Sequence, residues 1–200
     1  MDIYFIRHGQ TDGNVARRHQ HPDIDLNEMG KLQVARTAKL VKRLRPTHLI
    51  TSTSKRAVET AQAIGLATDL IPETYPAFEE LKRPTFLIGK RFHDSDSLKY
   101  IWGWFFGVKA APMHDGESYA DFLGRIIQAR EIIRQLPDTS RVAVVSHAVF
   151  INFFLEHMNR PERMGLTRAT RRFIKLFTLK NASVTHVQYR DGRFHIVDRF

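Results

Sequence analysis

One arrangement recurs three times in this chain and limits what it can fold into. A short apolar run stops abruptly on polar or cationic residues, and a helix pattern follows. The first run is Asp2-Ile3-Tyr4-Phe5-Ile6, ending in Arg7-His8-Gly9. The second, Thr47 to Thr51, ends in Ser52-Thr53-Ser54 and leads into a helix carrying Arg56. The third, Arg141 to Ser146, ends in Ser146-His147. Runs of β-branched and aromatic residues of this length are buried strands, and continuous ones belong to parallel sheets. Strands alternating with helices make an α/β fold with a mostly parallel sheet and helices on both faces. In such sheets ligands bind just outside the carboxyl ends of the strands. That places Arg7, His8, Arg56 and His147 together on one edge.

Placement also makes these residues poor candidates for plain packing. Ser54 is the expected N-cap of its helix, so Arg56 falls in the first turn, where the helix dipole disfavours a cation by about 0.3–1 kcal/mol. His147 stands at a helix start, where backbone N–H groups favour anions. Three cations or potential cations around an imidazole suit a phosphoryl group.

The residues that follow Gly9, Thr11 and Asn14, complete a motif that resembles that of the histidine phosphatase superfamily, the phosphoglycerate-mutase-like enzymes. Ser52 to Ala61 resembles that family's second motif, Gly116-Glu117-Ser118 with Arg125 a third, and Ser146-His147 a fourth, in the same order. The resemblance covers nearly the whole chain. It implies a three-layer sandwich and an acid two places after a hydrophobic residue; Phe78 then points to Glu80, with Glu79 the alternative if the register slips by one. It also implies the roles. His8 is the nucleophile that carries a phosphohistidine, and Arg7, Arg56, Asn14 and His147 bind the phosphoryl oxygens, His147 as a protonated donor. Glu80 is the proton donor, kept neutral by an apolar wall of Phe78 and the aromatic insertion. Glu117 either orients a site arginine or supports a helix terminus. No metal or other cofactor is required. The chain departs from the family pattern at Ala148, where glycine is usual, and at His21 and Asp25.

Two hundred residues suit one domain over 1–200, with 85–115 as a variable insertion or lid. There is no cysteine, which excludes a disulfide framework, a thiolate metal site and a cysteine-nucleophile phosphatase. His19 and His21 could suggest a metal site, but Pro22 and the acidic flanks describe an exposed loop. Asp2 and Arg7 interrupt any early apolar stretch, so no signal peptide is expected, no run suits a membrane span, and the cytoplasm is the simplest location.

The formal net charge is +10. It fits steering of an anionic substrate, and mildly favours one more anionic than a single phosphate. The expected partner is a small phosphorylated molecule. Residues 160–180 hold seven basic residues against Glu162. They read as a helical surface or a positive rim; nucleic-acid binding is the rival class but is not favoured. The aromatic stretch Tyr100 to Phe106 reads as core, with a lid or an interface to a second copy as the other uses.

Between these landmarks, Leu32, Ala35, Ala38, Val41 and Leu44 predict the inner face of a helix over 29–44. Asp69 to Ile71 suggests a short third strand. Tyr119, Phe122, Ile126, Ala129 and Ile133 keep strict helical spacing behind a Ser118-x-x-Asp121 start. Asp191-Gly192 predicts a tight hairpin turn. The rival functions are a mutase, a polyanion-binding protein and a phosphatase-like scaffold without turnover.

Overall fold

A computed structural model of the chain describes residues 1–106, 115–160, 162 and 179–200. The elements in order are β1 (Asp2–Arg7), α1 (Asp12–Val15), α2 (Glu28–Leu44), β2 (His48–Thr51), α3 (Lys55–Thr68), β3 (Glu73–Thr74), α4 (Ser95–Phe106), α5 (Tyr119–Arg134), β4 (Arg141–Ser146), α6 (Ala148–His157), β5 (Val184–Arg190) and β6 (Arg193–Arg199). Six strands form one sheet in the order β3-β2-β4-β1-β5-β6. The first four are mutually parallel; β5 runs antiparallel to β1, and β6 to β5. This is the α/β sandwich expected from the alternation of runs and helices.

The pleat of β1 divides the molecule. Ile3 and Phe5 face a core that includes Trp104, Phe122 and Phe154 of α4, α5 and α6. Tyr4 and Ile6 face a second core with Val41 of α2 and Ile64 of α3. Both faces are therefore covered, as a mostly parallel sheet requires. The β1–β4 register sets Arg7 opposite Ser146, so the two polar strand ends finish side by side.

α5 forms as its spacing predicts: Ser118 and Asp121 make the capping box, and all five inward positions are buried. The β5–β6 hairpin turns through Asp191 (φ 52°) and Gly192 (φ 75°), both left-handed as a type I′ turn needs. Two expectations are corrected. Asp69 ends α3 as its left-handed cap, and the third strand forms four residues later at Glu73–Thr74. The buried face of α2 is Gly30, Val34, Thr37, Ala38 and Val41, whereas Leu32 is 58% exposed. Close approach of the residues after β1 turns the helix: a Cβ on Gly30 would lie 2.1 Å from the Gln10 carbonyl oxygen, and one on Gly9 2.7 Å from Val34.

The aromatic stretch is mostly core. Trp104 packs against Phe105, Tyr119, Phe122 and Phe153, and its indole N–H donates to the Glu117 carbonyl at 2.9 Å. Trp102 is 63% exposed. Most of the basic stretch 160–180 lies outside the described residues. Among the described residues no helix is long and apolar enough to cross a membrane.

Candidate active site

A cavity of about 780 Å³ opens over the carboxyl ends of β1, β2 and β4, and Arg7, His8, Asn14, Arg56, Glu79 and Glu80 all line it. His147 lies just beneath, its ring centroid 5.1 Å from that of His8. The residues singled out in the sequence therefore converge, although up to 140 positions separate them.

His8 is 3% exposed. Its Nδ1 meets the Gly9 carbonyl at 2.7 Å, which fixes the ring proton there, since a carbonyl only accepts. Nε2 is left bare and accepts from Arg56 Nε at 3.3 Å. Burial, with Arg56 and Arg7 beside it, pushes the imidazole well below its ordinary range, so it stays neutral. The supports of this loop come from distant elements. Thr60 Oγ1 accepts from the Gly9 N–H at 3.1 Å and donates to the Arg56 carbonyl at 2.7 Å. Asn181 donates to the carbonyls of His8 and Gly9 and to Asn14 Oδ1. Thr60 belongs to the second motif; nothing in the sequence around Asn181 marks it.

Arg56 spans the site. Besides His8, it donates to His147 Nδ1 at 3.3 Å and to the His21 carbonyl at 3.1 Å. Burial brings its guanidinium down to about 10, with Glu80 opposing and Arg83 and Arg7 assisting. Arg7 donates to the Leu179 carbonyl, while its Nε is buried with no partner among the described residues. Arg7 is lowered by burial as well, and Glu80 opposes. Asn14 closes a capping box with Thr11, and its Oδ1 also accepts from Asn181. Asn14 also lines the cavity.

His147 Nε2 meets Ser52 Oγ at 2.7 Å. Because Arg56 can only donate, His147 Nδ1 must accept, and the ring is neutral. Burial, then Arg56, His8 and Arg7, hold it well below its ordinary range. Before a phosphoryl group is bound, the ring is therefore an acceptor toward Arg56 and not the protonated donor expected. Ala148 is the first residue of α6 with ordinary helical backbone, so the missing glycine leaves the turn intact.

The acid loop differs from expectation in its surroundings. Phe78 points into the core against Phe150, not over the cavity. The Glu80 carboxylate instead caps α6, accepting from the backbone N–H groups of Leu81, Val149 and Phe150 at 2.9, 3.2 and 3.1 Å. Glu79 is held by the Thr53 hydroxyl and Lys82. Glu117 pairs with Arg125, with Nε–Oε1 at 2.6 Å and Nη2–Oε2 at 2.7 Å. The Arg125 guanidinium also donates to the carbonyls of Ala77, Glu79 and Glu80. Glu117 thus steadies the acid loop through Arg125.

His19 and His21 separate. His19 is buried with Nε2 at 2.9 Å from Ser97 Oγ, and His21 is exposed beside Asp23. Burial, with Arg83 nearby, takes His19 down to about 3. Asp25 pairs with Lys55 outside the cavity.

A bare histidine nitrogen among arginines, at the carboxyl edge of a parallel sheet, agrees with the family comparison. The model of the histidine phosphatase superfamily (branch 1) matches residues 3–199. The chain belongs to that superfamily. The "Probable phosphoglycerate mutase GpmB" of Proteus mirabilis is 29% identical over 96% of this chain and 86% of its own length. The mycobacterial glucosyl-3-phosphoglycerate phosphatase, solved with VO3, shares 25% identity with a TM-score of 0.76, covering 98% of this chain and 96% of that one. A phosphoserine phosphatase from Entamoeba histolytica has the same fold, with a TM-score of 0.78 at 23% identity over 99% and 95% of the two chains. This superfamily member thus has both phosphatases and a mutase-named protein among its relatives.

Proposed function

We propose that the chain is a phosphomonoesterase that acts on a small phosphorylated molecule, passes the phosphoryl group through His8 and needs no metal ion. The observation that carries this reading is the state of the His8 ring. Its proton is held on Nδ1 by the Gly9 carbonyl, and its bare Nε2 faces a cavity lined by arginines. The nucleophile is ready at neutral pH without a base to activate it.

In the first step the His8 Nε2 lone pair forms a bond to phosphorus as the ester P–O bond breaks. Arg7, Arg56 and the Asn14 amide hold the non-bridging oxygens. His147 Nδ1 takes up a proton when the phosphoryl charge offsets the arginines, and then donates to the same group. Glu80 delivers a proton to the leaving oxygen. That proton can arrive with the substrate, since a phosphate monoester has its second pKa at about 6. In the second step water attacks phosphorus, its proton passes to Glu80, and the N–P bond electrons return to Nε2.

The test is hydrolysis of an aryl phosphate between pH 5 and 8 with a chelator present, with alkaline quenching to trap the acid-labile phosphohistidine. Turnover that survives the chelator and disappears in His8→Ala is the expected result. Turnover that persists in His8→Ala would remove the covalent route. A mutase reading draws on the name of the Proteus relative. It predicts that phosphate offered on a phosphoglycerate is moved within the molecule and not released.

A further inference from the structure

The loop after α1 is stitched to two separate parts of the molecule. On one side it serves α3. Ser54, the N-cap of α3, makes no side-chain capping bond of its own. The Lys55 N–H donates instead to the Pro22 carbonyl at 3.2 Å, and the Arg56 guanidinium donates to the His21 carbonyl at 3.1 Å. Arg56 is a cation in a first helical turn, which the helix dipole disfavours, so its place depends on such acceptors. On the other side the loop pairs with the segment that follows Leu87. The His19 N–H donates to the Lys90 carbonyl and the Gly89 N–H to the His19 carbonyl, both at 2.9 Å, and the Phe92 N–H donates to the Arg17 carbonyl at 3.0 Å. Arg18 and Arg91 stand opposite each other in this short antiparallel bridge. Both segments line the cavity, with His21 and Pro22 from one and Ile88 and Phe92 from the other.

A bridge this short has little stability of its own. Arg17 also takes a left-handed backbone (φ 52°), which a residue with a Cβ disfavours. The His19 side chain supplies what the backbone does not. It is buried, with the Phe92 ring edge-on at 4.9 Å. Ser97, in the first turn of α4, is buried too, and its hydroxyl donates to the Arg91 carbonyl at 2.8 Å. With its one proton so placed, the Ser97 oxygen can only accept from His19, so Nε2, at 2.9 Å, carries the imidazole proton. The chain of bonds runs from the loop into α4 and returns to the bridge at Arg91. Removing either partner of the His19–Ser97 bond leaves a buried polar group unpaired.

Resting on the phosphomonoesterase reading, we propose that His19 is a positioning residue. Through its hydrogen bond to Ser97 it locks the insertion to the loop after α1, and so holds the His21 carbonyl where it fixes Arg56 for the phosphoryl group. The chemistry stays with His8. A histidine that only filled space could be replaced by leucine without loss. A lock needs the Nε2–H, which a glutamine amide supplies from nearly the same place.

The wild type, His19→Leu, His19→Gln and Ser97→Ala test this, with two readouts that need no turnover. Hydrogen exchange reports the lock. The amides of His19, Gly89 and Phe92 should exchange at least about tenfold faster in His19→Leu and Ser97→Ala and within about threefold of wild type in His19→Gln, while those of α5 stay unchanged. Calorimetric binding of inorganic phosphate reports Arg56. Affinity should fall about tenfold in His19→Leu and Ser97→Ala, roughly what one hydrogen bond contributes, and stay within about threefold in His19→Gln. The kcat/KM for an aryl phosphate should follow the same order. Leucine and glutamine variants that behave alike in both readouts overturn the proposal, and so does faster exchange with unchanged phosphate affinity. Should His19→Leu fold poorly, Ser97→Ala removes the same hydrogen bond with a smaller change, and wild-type exchange and affinity in it overturn the proposal. No hydrolysis by the wild type, with the variants ordered as stated, removes only the enzymatic reading. Hydrolysis with all the proteins alike in both readouts removes only the lock.

Discussion

Arg125 touches no part of the cavity surface, yet its loss should be felt in both stability and turnover. Its side chain is 12% exposed and that of Glu117 7%, and the pair is bidentate. Arg125→Met removes the guanidinium that lies 5.0 Å from the Phe122 ring centroid and strands the Glu117 carboxylate, for which the Lys82 N–H at 3.2 Å is a poor substitute. Removing one partner of a buried pair costs about 3–5 kcal/mol. That is a large share of a folding free energy of about 5–15 kcal/mol. At about 2.1 cal/mol/K per residue, 200 residues unfold with an entropy near 0.42 kcal/mol/K, so the melting temperature should fall by about 7–12 °C. The carbonyls of Ala77, Glu79 and Glu80 lose their common donor at the same time, and the acid loop slackens. A displacement of about 1 Å at a reacting group can cost about 100-fold in rate. The loss should fall on kcat more than on KM, because Arg7, Arg56 and Asn14 stand on other elements. Adding Glu117→Gln removes the stranded charge and should restore at least about 1 kcal/mol. Urea unfolding of the two variants, with kcat and KM for an aryl phosphate, measures all of this. A loss under 1 kcal/mol with kcat unchanged, or a double variant no more stable than the single one, would refute the reasoning.

Gly30→Ala should unfold at a clearly lower temperature, because its methyl group would meet the Gln10 carbonyl at 2.1 Å and a backbone atom there has little room to move; an unchanged melt would show that α2 can shift. Ser52→Ala removes the partner of His147 Nε2 and should lower kcat/KM by about tenfold, the equivalent of one hydrogen bond. Wild-type turnover in that variant would mean that Ser52 does not orient the ring. His8, His19 and His147 are all lowered in the folded state. The unfolded chain therefore binds more protons below about pH 6.5, and the stability these groups contribute is full above that pH and drains away as pH falls, toward about 3 for His19. Urea midpoints should be lower at pH 5 than at pH 7, and the difference should shrink in His19→Gln; equal midpoints would contradict the neutral assignment.

Much of this protein could be read residue by residue, because much of it depends on neighbours in the chain. A capping box needs only Ser118 and Asp121, a type I′ turn only Asp191 and Gly192, and α5 only an apolar residue every third or fourth position. The gathering of Arg7, His8, Arg56 and His147 was legible for a related reason. Strand ends in a parallel sheet share one edge, so an abrupt polar ending on each of three strands predicts a meeting place.

The rest depended on which distant surfaces met. Spacing could show that α2 has an inner face, but the approach of Gln10 to Gly30 chose which one. Asn181 lies 173 residues from His8, with no local pattern to mark it, and becomes a support only when β5 pairs with β1. Glu80 was legible as an acid, but α6 had to bring its N–H groups to the carboxylate before its surroundings were known. His147 stays neutral because folding buries it beside Arg56. Local backbone preferences are written in adjacent residues, whereas burial, charge environment and hydrogen-bond partners exist only after the layers have packed.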